Sequence, residues 1–110
     1  ETMLAIFIDS IGDKSGTYKL LRNHSSLPFS LIKSRIKDND AVIEVYMLDL
    51  DGLRKVRELI HELNTIGTKV TIRDSTGIIT LEIVNNLIST FEEIAIEREE
   101  LDTLMFEEEE

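Results

Sequence analysis

One hundred and ten residues make one ordinary domain, enough chain to bury a single core and too little for two. At 42% hydrophobic and 31% charged the composition is that of a globular chain, and four Phe, two Tyr and no Trp leave its core to Ile, Leu and Val. The formal net charge of −10 argues against nucleic acid or an anionic membrane as partner, and the absence of Cys excludes disulfides, thiolate metal sites and cysteine nucleophiles.

Residues 3–8, MLAIFI, are a short apolar run halted by DSIGDKSG, the pattern of a buried strand running into a loop. Ser15 or Thr17 then starts a helix with Tyr18, Leu20 and Leu21 on its apolar side, and Ser25 and Ser26 end it. LPFSLIKSRIKDN puts Pro28 early, where a helix tolerates it, and repeats Leu27, Leu31, Ile32 and Ile36 at helical spacing, so two short helices joined by a tight turn are predicted. Residues 41–48, AVIEVYML, alternate as a strand whose wetter face is Val42, Glu44 and Tyr46. Asp49 or Asp51 caps the next helix, whose stripe of Leu53, Val56, Leu59, Ile60, Leu63 and Ile66 is the clearest in the chain. Gly67 follows as its C-terminal cap, and residues 68–73 as a third strand.

After the turn DSTG, residues 78–84 read as a fourth strand returning on the third, although the same letters also open a helical pattern. From Asn86 on a helix is predicted, with Leu87, Phe91, Ile94, Arg98, Leu101 and Met105 along one side and glutamates over the other. The whole is an α+β fold: a small three-stranded antiparallel sheet in the order β-α-α-β-α-β with helices on one face, extended by the fourth strand and closed by an acidic helix. Residues 1–73 form the α+β domain, 74–106 a hairpin and helical extension, and 107–110 a solvated, disordered acidic end. No apolar run reaches the length of a membrane span, a cytoplasmic location is expected, and the start on Glu1 rather than Met leaves open whether the chain is a fragment of a longer protein.

Charge is separated along the chain. Six of the twelve basic residues, Lys14, Lys19, Arg22, Lys33, Arg35 and Lys37, fall within residues 14–37 with no acid among them, so this island carries +6 and the remainder −16. From Asp74 onward twelve acids face the single Arg98. In its strand and helix context, DKSGTYKLLRNHSSLPFSLIKSRI resembles, without a gap, the central segment of the C-terminal domain of the bacterial ribosomal stalk protein, the large-subunit acidic protein that recruits translational GTPases. That family's Lys opening the first helix, its Lys-x-x-Arg pair, its second helix starting Leu-x-Leu and its further Lys match Lys14, Lys19, Arg22, Leu27 (with Phe29 in place of the second Leu) and Lys33. LRKVRELIHELNTIGTKVTI looks like the family's last helix, Gly and final strand, and the resemblance covers about residues 3–73. It implies a shared fold and implies that Lys14, Lys19, Arg22 and Lys33 contact a protein partner. The family's N-terminal dimerisation domain and Ala/Gly hinge have no counterpart, so the chain is read as a related domain rather than a stalk subunit.

Helical spacing adds to the island. Tyr18 and Arg22 are one turn apart with Lys19 beside them, and Lys33 and Lys37 are one turn apart on the second helix, so the expected docking surface is Lys14, Tyr18, Lys19, Arg22, Lys33 and Lys37, with the Arg22 guanidinium as anchor. The thin apolar stripe of Leu87, Phe91, Ile94, Leu101 and Met105, interrupted by Arg98, has the spacing of a self-association seam. Catalytic patterns are weak by comparison. Ser25, His24 and Asp9 have the residue types of a hydrolytic triad but none of its spacing. Asp49 and Asp51 lack the Gly and closing Glu of a calcium loop, and GDKSG lacks the Gly-Lys-Ser/Thr ending of a phosphate loop. No cofactor and no metal are expected. The expected function is a non-enzymatic interaction or adaptor module docking an acidic protein partner, with a homodimer through the C-terminal helix. The alternative is an acidic inhibitor of the immunity type that mimics nucleic acid and blocks a basic active site.

Overall fold

The structure, a computed structural model, describes residues 2–108, with side chains through Glu99. Its elements are β1 (Met3–Ser10), α1 (Lys14–Ser25), α2 (Phe29–Lys37), β2 (Ile43–Tyr46), α3 (Leu50–Thr65), β3 (Lys69–Asp74), β4 (Gly77–Ile79) and α4 (Leu81–Glu108). The strands lie in the order β2-β1-β3-β4, each antiparallel to its neighbour. The α+β architecture read from the sequence is therefore found, with the fourth strand in place.

Strand periodicity sorts the residues of β1 cleanly: Leu4, Ile6 and Ile8 are buried, while Met3, Ala5 and Phe7 are half-exposed on the opposite face. On that open face the Arg73 guanidinium lies 4.9 Å from the centre of the Phe7 ring. In β2, Ile43 and Val45 point inward and Glu44 and Tyr46 outward. Val42, expected on the wetter face, is buried; it precedes the strand, where its N–H donates to Ile6 O (2.8 Å), and the alternation has not yet begun.

The predicted stripe of α3 covers the inner face, with Leu53, Val56, Leu59, Ile60 and Leu63 all buried and the helix touching β2, β3, α1 and α4. Each such side chain removed from water contributes roughly 1.5–3 kcal/mol, so this one helix organises the core. Asp49 is its cap, accepting from Gly52 N–H at 3.0 Å. At the other end Gly67 has φ +82, a conformation that disfavours side chains, and it passes so close to Gly12 that a Cβ on Gly12 would lie 2.3 Å from Ile66 O.

The start of α1 differs from expectation. Asp13, rather than Ser15 or Thr17, is the cap, accepting from Gly16 N–H at 3.3 Å. Thr17 is fully buried and has other work: its hydroxyl donates to Asp13 O (2.7 Å), so it must accept from the Thr68 hydroxyl 2.6 Å away, and Thr68 in turn accepts from Gly12 N–H (3.0 Å). This chain of hydrogen bonds ties the end of β1, the first turn of α1 and the entry to β3.

Residues 78–84 divide between both readings. The strand ends at Ile79, paired with Ile72, and α4 begins at Leu81 rather than Asn86, because Thr80 caps it by accepting from Ile83 N–H (3.3 Å). One turn apart, Val84 and Ile88 are fully buried in the same core cluster as the sheet and α3, so the hairpin and the root of α4 complete the core of residues 3–73. The helix runs to Glu108; two of the terminal glutamates expected to be disordered are thus helical, and residues 109 and 110 lie outside the described residues. At 28 residues α4 is about 42 Å long. It accounts for a molecule whose extents are 61 × 27 × 24 Å.

Candidate functional site

The island folds into α1 and α2, which pack against each other. Two short helices form here because Ser26 adopts a left-handed conformation (φ 59) that ends α1, and Pro28, extended at φ −62, begins α2 two residues later. The turn brings two aromatic rings together: Tyr18 of α1 and Phe29 of α2 have centroids 4.6 Å apart, tilted by 43°. Around them Ser15, Tyr18, Lys19, Arg22 and Phe29 line a groove of about 380 Å³. Phe29, 46% exposed, is an aromatic side chain left open to solvent beside two cations. Lys33 and Lys37 follow Phe29 at one and two turns along α2, and both are exposed.

Two expected members of this surface take different places. Tyr18 is only 6% exposed, so it forms the floor of the groove rather than a row with Arg22; it belongs to the core cluster and stacks its ring against Phe29. Lys14 is exposed at the first position of α1 but is not among the groove's lining residues. Arg35, the sixth cation, is half-buried and donates to Ala41 O (3.2 Å), a structural role at the end of α2. Phe29 and Ser15 are additions to the expected set. The signal for Phe29 was its spacing ahead of Lys33 and Lys37, but its contact with Tyr18 depends on the fold.

Electrostatically the surface stands apart. Among the described residues Lys14, Lys19, Arg22, Lys33 and Lys37 form no ion pair, whereas Arg54 holds Glu92 (2.9 Å) and Asp51 (3.6 Å), and His24 lies 3.8 Å from Glu62. Outside this groove, Asp74, in the turn between β3 and β4, is held below its ordinary value by the Thr76 hydroxyl (2.6 Å) and then by Thr76 N–H (2.8 Å).

The catalytic and ligand patterns of the sequence do not assemble. Ser25 Oγ donates to Leu21 O and accepts from Leu27 N–H (3.3 Å), Asp9 accepts from the Thr71 hydroxyl, and His24 faces Glu62, so each triad candidate has its own partner. In the GDKSG loop the Gly12, Asp13 and Gly16 N–H groups donate to Thr68 Oγ1, Ile66 O and Asp13 Oδ2, so three of the loop's five amides are already engaged within the chain. Asp49 caps and Asp51 pairs with Arg54. Among the described residues no three His, Asp or Glu side chains gather as metal ligands, and no helix is long and apolar enough to cross a membrane.

A second groove, about 840 Å³, lies at the root of α4 between Leu87 and Phe91 on one side and Thr2, Tyr46, Met47, Leu48 and Asp49 on the other. Leu87 and Phe91 are half-buried against their own core, Ile94 is 39% exposed, and Leu101 and Met105 lie beyond the described side chains. Comparison with protein-family models, with curated proteins and with solved structures yields no match.

Proposed function

We propose that this chain is a non-enzymatic docking or adaptor module that binds an acidic segment of a partner protein along the α1–α2 face. The observation that carries this reading is the coincidence, in one groove, of unpaired Lys19 and Arg22 with the Tyr18 and Phe29 rings. A merely solvated face needs charge, but it has no use for an open Phe between the charges. The combination suits a peptide or helix that offers carboxylates together with one apolar side chain. Arg22 supplies the anchor, because a guanidinium holds a carboxylate through two parallel hydrogen bonds. Lys33 and Lys37 extend the positive potential along α2 and steer the partner, and the −16 carried by the rest of the chain repels it from every other approach. The resemblance of residues 3–73 to the stalk domain belongs to the same proposal and assigns Lys14, Lys19, Arg22 and Lys33 to partner contacts.

The test is to capture partners on the immobilised chain, identify them, and titrate the purified partner against the wild type, Phe29→Ala and Arg22→Glu. Arg22→Glu is expected to weaken binding about 100-fold, since reversal both removes a paired charge and adds repulsion. Circular dichroism should show the fold unchanged, because Arg22 is exposed. A partner that binds equally well after reversal of both Lys19 and Arg22 would overturn the reading and favour the acidic inhibitor, whose surface would be α4.

A further inference from the structure

We propose that α4 pairs antiparallel with α4 of a second copy, the C-terminal half of each helix lying in the groove at the root of the other. The helix is anchored over residues 81–92: Val84 and Ile88 are fully buried, Leu87 and Phe91 half-buried, and Glu92 is held by Arg54 at 2.9 Å. From Glu93 through Glu99 every residue is exposed, although the helix continues to Glu108. Leu87, Phe91, Ile94 and Arg98 are separated by steps of four, three and four, the spacing of a two-helix seam. That seam leaves its own domain in mid-course. The half still inside is flanked by Tyr46, 51% exposed, and Leu48, 83% exposed, which form the far wall of the groove. An apolar groove and an unsupported apolar stripe therefore belong to one continuous surface, and the stripe of a second copy has the residues to fill it.

Charge decides the occupant and its direction. Residues 81–92 contain two acids, Glu82 and Glu92, the second paired with Arg54, whereas residues 93–108 contain seven acids against Arg98. Side by side in parallel, two copies would set acidic half against acidic half. Run antiparallel, each acidic half lies along the nearly neutral half of the other, and an arbitrary acidic helix has no such reciprocal fit. The register follows from pairing the two kinds of seam position. Phe91 meets the partner's Ile94, and Leu87 meets the partner's Arg98, whose guanidinium then reaches the Asp49 carboxylate on the groove wall. A charged residue in a seam costs stability but fixes register when it finds its counter-ion, and here it appears once in each copy. The stretch 93–108 is long enough to cover the anchored stretch, 81–92, of the partner. The dimer carries its two α1–α2 faces as a pair, which raises avidity for a partner with two acidic segments.

Sedimentation of the full chain should show a dimer. Because the protein has no Cys, a spin label attached to Glu82→Cys reports direction: the antiparallel register separates the two labels by on the order of 30 Å of helical rise, while a parallel pair leaves them about one interhelical distance, roughly 10 Å, apart. Ile94→Glu, Leu48→Asp and Arg98→Glu change exposed residues, so each should stay folded and raise the dimer dissociation constant about tenfold or more. Asp49→Ser keeps a capping oxygen and should weaken the dimer while α3 remains intact. A monomer at high concentration, a short label distance, or dimerisation indifferent to Leu48→Asp would each overturn the proposal. Reversal of Lys19 and Arg22 leaves this dimer unchanged, so the result is independent of the docking face.

Discussion

Thr17 and Thr68 show how single residues set this fold. Both hydroxyls are fully buried, and each satisfies the other while closing a path from Gly12 N–H to Asp13 O. Thr17→Val keeps the shape, removes the donor to Asp13 O and leaves Thr68 without its acceptor. A loss of about 1–3 kcal/mol in denaturant unfolding is expected, the cost of a buried group left unpaired. Asp74 makes a milder point at the surface. Its carboxyl, held below the ordinary 3.8 by Thr76, contributes to the β3–β4 turn at pH above that ordinary value, and the contribution is lost as pH falls through the lowered one. Thr76→Val should move the Asp74 titration, followed by NMR, back up toward its ordinary value. It should also flatten the acid dependence of the amide protection of the hairpin.

At the scale of elements α3 is the keystone, since it touches two strands and two helices and buries five side chains. Ile60, 1% exposed in the middle of that row, should cost on the order of 2–5 kcal/mol when cut to Ala, measured by urea unfolding. A loss under about half a kcal/mol is the signature of a surface site and would contradict its place in the core. Helix α4 is two elements in one. Ending the chain after Asn86 removes fully buried Ile88 and half-buried Phe91 and is expected to destabilise the domain. Ending it after Glu92 keeps both, together with the link to Arg54, and should leave a folded domain with unchanged near-native amide shifts.

Over the whole molecule the dominant feature is separation of charge, with the basic α1–α2 face on a chain of net −10. Because its five exposed cations have no carboxylate partner among the described residues, their field is spent on solvent and is open to salt. Association with an acidic partner should therefore slow by about tenfold or more when ionic strength rises from ~0.02 to ~0.3 M. The same titration on the Lys19 and Arg22 double reversal should show a shallower slope. Stopped-flow measurement of the association rate separates this steering from the contribution of Phe29, which acts on dissociation.

Periodicity carried most of what the sequence by itself determined. The alternation of Leu4, Ile6 and Ile8, the stripe of α3 and the Gly67 cap are local consequences of backbone geometry, and they sufficed for the element order and the antiparallel sheet. The exclusion of acids from residues 14–37 was equally legible, because charge is a property of composition. What only the tertiary structure decided depends on residues far apart in the chain. Thr17, expected as a possible cap, is instead buried against the Thr68 hydroxyl fifty-one positions away while Asp13 caps α1, and the sequence of α1 does not contain that contact. Ile88 joined the core, and the helix began at Leu81, because β4 delivered Thr80 to the edge of the sheet. Tyr18 went inward and Phe29 outward because the left-handed Ser26 and extended Pro28 set the angle between α1 and α2, and it is that angle, a matter of two backbone conformations, that turns a row of cations into a groove.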